Sequence, residues 1–214
     1  MTECRHEGPP TAAYGRVLWV VLLTNAAMFV VEMTAGVIGQ SVALQADAVD
    51  FLGDAATYAI TLMVLGAGIR WRARAALVKG ASMGVFGLWV LGNSVYHVMF
   101  PAEPDAVLMG GVGTLALAAN IFAALMLFAY RDGDSNMRSV WLCSRNDAIA
   151  NLAVIAAASG VWATTSPWPD VAVGFAIAGL NVSAAAHVIR RAVGELAAAM
   201  PEPGPPEGAP SSPD

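Results

Sequence analysis

Five side chains able to hold a cation fall at helical spacing in two stretches of this chain. Residues 44–54 carry Asp47, Asp50 and Asp54, and Asp50 and Asp54 are four apart. A helix stacks such a pair on one face, where both carboxylates can reach one ion. Residues 139–151 repeat the spacing with Cys143 and Asp147, and Asn151 continues that face one turn on. Two such pairs from two helices make four ligands, the number that a tetrahedral Zn²⁺-like site takes. Carboxylate and thiol must shed their protons to coordinate, so protons contend with the metal for the same atoms.

The run that holds the acids, about 28 residues long, is otherwise apolar enough to cross a bilayer. An ionised carboxylate at that depth costs at least ~2.5–3.5 kcal/mol and is tolerated where it faces a partner, a cavity or a cation. The plainer alternatives are a protonated or internally paired Asp that ties helices together, and a Cys143 that is a buried small hydrophobe. For Asp147 the alternative is an ion pair with Arg145, although residues two apart on a helix point to different faces. Asp47, three residues before Asp50, is either an entry or outer-sphere carboxylate or a cap near the membrane boundary. In the first apolar run Asn25 and Glu32 are seven apart, two turns, and share a face expected to look into the bundle. Glu32, Asn25, Asp47 and Asn151 are the expected outer partners of the ligands.

These groups must be positioned by membrane helices. The chain is 57% hydrophobic and 13% charged, with a positive mean hydropathy, a composition no soluble domain of this length requires. Six apolar segments are expected at about 17–38, 42–69, 76–100, 106–130, 139–164 and 168–189, giving an all-α polytopic membrane protein. Continuous Leu, Ala and Val argue against a barrel, whose strands alternate apolar and polar residues. The first run exceeds a signal-peptide core and has no small-x-small cleavage pattern, so it reads as a retained helix. The link at Gly39, Gln40 and Ser41 is short, which makes the first two helices antiparallel neighbours. Glycines at 80, 84, 87, 92, 110, 111 and 113 suit close helix packing better than a phosphate cradle, since no strand precedes them.

The bases set the expected orientation. Every Lys and Arg lies in the amino-terminal tail, the 2–3 link, the 4–5 link, the start of helix 5 or after helix 6. By the positive-inside rule both termini are then cytoplasmic and the three other links face outward. The formal charge of −5 does not point to nucleic acid, and two cysteines make no disulfide framework. Residues 1–13, with Cys4 and His6, and the Pro-rich 197–214 read as disordered tails flanking a transmembrane domain at 14–196.

The run from Ser41 to Asp54, together with Trp141-Leu142-Cys143-Ser144-Arg145-Asn146-Asp147-Ala148, resembles the cation diffusion facilitator family of proton-coupled divalent-metal exporters. The resemblance spans roughly residues 17–196 and includes the Asp170 that opens helix 6. It implies metal ligands at Asp50, Asp54, Cys143 and Asp147, a multi-pass cell-membrane location and a homodimer. Two departures stand out. Cys143 occupies a position usually held by His or Asp, and a thiolate favours softer Zn²⁺ or Cd²⁺ over Mn²⁺ or Mg²⁺, whereas three carboxylates pull the other way. The family's cytoplasmic metal-binding domain and His-rich 4–5 loop have no counterpart in this sequence.

The expected function is therefore export of Zn²⁺, Cd²⁺ or Co²⁺ against protons by a non-enzyme, with no resident cofactor. Two rivals belong to other classes. A membrane metal sensor or accessory subunit fits the absent cytoplasmic domain. An intramembrane aspartyl protease would use two carboxylates to activate water, but it needs one Asp on each of two helices, and Leu52-Gly53-Asp54 lacks the first Gly of a Gly-x-Gly-Asp run. Arg-over-Lys and Ala-rich usage suggests a bacterial source.

Overall fold

A computed structural model describes residues 12–64, 69–130 and 135–198. It holds six helices: α1 (Ala12–Ile38), α2 (Val42–Val64), α3 (Ile69–Met99), α4 (Ala106–Phe128), α5 (Ser135–Thr164) and α6 (Trp168–Ala198). The protein is an all-α polytopic membrane protein. Five helices, all but α2, are long and apolar enough to cross a membrane. α2, with 23 residues and about 35 Å of length at 1.5 Å per residue, is as long as α4 but carries the three aspartates. The expected tails, with Cys4 and His6, lie outside the described residues.

Four helix ends run past expectation, at the starts of α1, α3 and α5 and at the end of α6; α1 already begins at Ala12. α3 begins at Ile69, so Arg70, Trp71, Arg74 and Lys79 belong to its first turns and not to a link. α5 begins at Ser135 and α6 runs on past Arg190 and Arg191 to Ala198. For α3 and α6 the physical reason is the same. Arg, Lys, Ala and Glu are good helix formers, so the helix outlasts the apolar run that marks it. In α6 the extension carries an i,i+4 pair, with Arg191 Nε 3.2 Å from Glu195 Oε1.

From Tyr14 to Ala35 the buried positions of α1 are Tyr14, Leu18, Val21, Asn25, Met28, Glu32 and Ala35, an alternation of fours and threes that forms one stripe on a helix. α4 repeats it with Met109, Gly113, Ala116, Asn120, Ala123 and Leu127. The opposite faces expose Trp19, Leu23, Val30, Leu115 and Leu125. Both faces are apolar, so the polar residues and glycines, and not hydrophobicity, mark which side looks inward.

α1, α2, α5 and α4 close a ring through four side-by-side contacts, and α3 and α6 pair with each other and lean on α2. Glycines set the α3–α6 spacing: a Cβ at Gly80 would stand 2.8 Å from Ile189 and one at Gly87 2.9 Å from Val182. A Cβ at Gly113 would meet Val154 and Ile155 of α5 at an ordinary 3.4 Å, and Gly92 and Gly111 face open space.

α2 is the shared element, touching α1, α3, α5 and α6. Its amino-terminal part, residues 41–49, is buried at every position. A helix start leaves N–H groups unmet, and here they are met from far along the chain. Asp170 of α6 accepts from the backbone N–H of Val42 (2.9 Å) and Ala43 (3.0 Å) and from the Ser41 hydroxyl (2.7 Å). Ser41 Oγ in turn accepts from Leu44 N–H at 3.1 Å, the N-cap bond. The preceding turn ends α1 with Gln40 at φ 53, and Ser41 N–H bonds back to Gly36 C=O at 2.9 Å, a Schellman closure. Gly36 and Gly174 let α1 and α6 approach this end of α2. A Cβ at Gly174 would stand 2.7 Å from the Val42 backbone, and one at Gly36 2.9 Å from Gln45 N.

Replacing Asp170 by Ala strands three buried donors, each worth roughly 1–3 kcal/mol when left unmet. The variant is expected to unfold at a clearly lower temperature in detergent, followed by tryptophan fluorescence. Gly174→Val, which drives a side chain into backbone, is expected to accumulate poorly or aggregate; a wild-type melting curve for both would overturn this account of how α2 is held.

Candidate metal centre

The carboxylates of α2 share one broad face of that helix by their spacing. Asp50 and Asp54, one turn apart, are half-buried, while Asp47 is buried. From α5, Asp147 comes into side-chain contact with Asp54, and the charges of Asp50 and Asp47 also reach it. Within the expected ligand set, the side-chain contact of acids is thus between helices, Asp54 to Asp147.

Each member is oriented by a neighbour. The Tyr58 hydroxyl donates to Asp54 Oδ2 at 2.8 Å, and Tyr58 is itself wholly buried among Tyr14, Leu18, Val21, Ala123 and Leu127. Asp50 is bonded to Asn181 of α6, whose Nδ2 also donates to Ala46 C=O at 3.0 Å. Asn181 thereby ties Asp50 to α6, while the charge of Asp50 still reaches Asp54 and Asp147. On the other flank Lys79 of α3 donates to Thr57 Oγ1 and brings its positive charge beside Asp54. Thr57 passes the chain on to Gly53 C=O at 2.8 Å.

Cys143 precedes Asp147 by one turn of α5; its side chain and that of Arg145 lie outside the described residues. Among the described residues no three His, Cys, Asp or Glu side chains stand close enough to hold one ion. The expected set of four is therefore represented by one carboxylate pair across α2 and α5, plus Asp50 turned toward Asn181.

The four expected outer partners are all buried. Asn25 donates to Val21 C=O at 2.8 Å. Glu32 and Asp47 meet each other across α1 and α2. Asn151 is buried with no described partner for its amide. Asp47 does not cap the start of α2; Asp170 and Ser41 do.

Sequence reading passed over Tyr58, Asn181 and Lys79 as site residues. The signals were present: Tyr58 is four from Asp54, Asn181 is a polar residue inside an apolar span, and Lys79 is the chain's single lysine. Lys79 was read as a boundary charge, because its proximity to Asp54 depends on α3 packing along α2.

With this geometry in view, two likenesses to known proteins bear on it. Residues 18–197 match the family described as the cation efflux transmembrane domain. Metal tolerance protein A2 of Arabidopsis thaliana is 30% identical over 135 residues, which is 56% of this chain and 34% of that protein's length. The family match takes in all six helices almost from end to end. The chain belongs to the cation efflux family.

Proposed function

We propose that the protein exports divalent metal cations in exchange for protons, with Asp50, Asp54, Cys143 and Asp147 as the ligands. The observation that carries this reading is the contact between Asp54 and Asp147 across α2 and α5, inside a domain of the cation efflux family. Two facing carboxylates at membrane depth repel unless a proton or a metal ion stands between them. Either occupant satisfies the pair, and neither tolerates the other, which is the chemistry of an exchanger.

In this reading metal displaces protons from Asp54, Asp147 and the Cys143 thiol at the cytoplasmic side. Asp50 turns from Asn181 to complete the set. Thiolate with three carboxylates ranks Zn²⁺ and Cd²⁺ first. Tyr58 holds Asp54 in register, and Lys79 offsets charge beside it while the site waits for an ion. The basic start of α3 adjoins the basic end of α6, since Gly80 packs on Ile189, and this supports a single cytoplasmic end under the positive-inside rule.

The protease reading gains one feature, since Asp54 and Asp147 do come from two helices. Family membership weighs against it, and the sequence before Asp54 still lacks the Gly-x-Gly-Asp run.

Vesicles holding the purified chain, loaded with Zn²⁺ or Cd²⁺ under an imposed pH gradient, test the proposal. Asp54→Asn and Asp147→Asn are each expected to weaken Zn²⁺ binding by roughly 100-fold or more and to abolish gradient-driven movement; transport equal to wild type rejects the assignment. Tyr58→Phe removes only an outer partner, so the expected loss of Zn²⁺ affinity is about 10-fold. Cys143→His should shift preference away from Cd²⁺ relative to Zn²⁺ and Co²⁺, and an unchanged ranking makes the thiol a bystander.

A further inference from the structure

A second pair of acids lies off the proposed ligand set. Glu32 of α1 and Asp47 of α2 are 0% and 1% exposed and meet side chain to side chain. All four of their carboxyl oxygens are buried without a hydrogen-bond donor. Asp47 is seven residues before Asp54, about 10 Å along α2 at 1.5 Å per residue.

Among the described residues the surroundings offer no counter-charge. α4 contributes the buried Asn120 and α5 the buried Asn151. The charged groups in reach are acids: Asp50 acts on Glu32, and Asp147 feels Asp47. Lys79 is engaged beside Asp54 and Thr57, and Asp170 is occupied with the start of α2, with His97 near it. Two ionised carboxylates cannot stay in contact in so dry a place, because each burial is expensive and like charges add to it.

Something positive must join them, and the number of oxygens decides what. A divalent ion takes four or more ligands, and no three acidic, His or Cys side chains among the described residues converge here. A proton needs only two oxygens. We propose that Glu32 and Asp47 share one proton, forming a proton-holding station separate from the Asp50, Asp54, Cys143 and Asp147 set. The shared proton turns two acceptors into one O–H donor and one acceptor and leaves a single negative charge on the pair. Its part in exchange rests on the exporter reading; the shared proton itself does not.

The test uses the full chain in lipid. Infrared difference spectroscopy on wild type is expected to show the carbonyl stretch of a buried protonated carboxylic acid, shifted by D₂O and present with and without saturating Zn²⁺. Asp54→Asn should keep that band. The double variant Glu32→Gln/Asp47→Asn should lose it; its paired amides supply their own donor and mimic the shared-proton geometry, which favours folding. The double variant should keep the Zn²⁺ stoichiometry of wild type, yet move the ion with a weaker dependence on the pH gradient. If it does not fold, Asp47→Asn alone carries the infrared measurement. Absence of a band sensitive to these changes overturns the proposal, as does a fall in Zn²⁺ stoichiometry in the double variant, which would make the pair a metal site. A band that behaves as expected in a wild type that moves no metal would defeat the exporter reading and leave the station standing.

Discussion

The first turn of α2 is held by a carboxylate that arrives from α6. In hydrocarbon an unmet N–H costs several kcal/mol, so a helix surrounded by protein at its start needs an acceptor delivered to it. Asp170 meets Val42, Ala43 and Ser41 at once, and one α6 face continues the hold through Gly174 against the α2 backbone and Asn181 on Ala46 C=O. Asp170, Gly174 and Asn181 lie on a single stripe, at steps of four and seven. This joint fixes the rotation of α2, and with it the side of the helix on which each aspartate emerges. Asp54 turns toward Asp147 of α5, Asp47 toward Glu32 of α1, and Asp50 toward Asn181.

The interior of the α1–α2–α5–α4 ring is consequently polar in a protein whose outer surface is oily. Asn25, Glu32, Asp47, Asn120 and Asn151 are all buried, while large apolar side chains cover the outside. Burial here does not follow hydrophobicity, because lipid is as welcoming to leucine as a protein core is. Polar groups segregate inward where they find each other, and small residues bring the helices near enough for this to happen.

The six helices were legible from the apolar runs, and so was the inward face of α1, since Asn25 and Glu32 stand two turns apart. The acidic island in α2 was equally plain. Helix ends were less so: Arg70, Arg74 and Arg190 read as solvent-side boundaries, yet each lies within a helix, because charge marks the membrane edge and not the end of helical backbone. Contacts that depend on inter-helix packing were out of reach. Tyr58 was one turn from Asp54, but a tyrosine in a membrane helix has many uses. The role of Asp170 as a cap 128 residues distant from Val42 has no local signature, and the partner of Glu32 became evident only when α1 was laid against α2.

Residues 41–49 have no face left over for lipid or water. A passage opening at that end of the bundle therefore cannot be made by α2 bending aside, since any departure would tear Asp170 from its three donors with nothing nearby to replace it. In the exchanger proposed above, the passage is then left to α1, α4 and α5, moving against the joint that α2 and α6 make together. In such an exchanger Asp147 travels with α5 while Asp47, Asp50 and Asp54 stay on the α2 post, so the tilt that changes access also opens or closes the distance between the facing carboxylates.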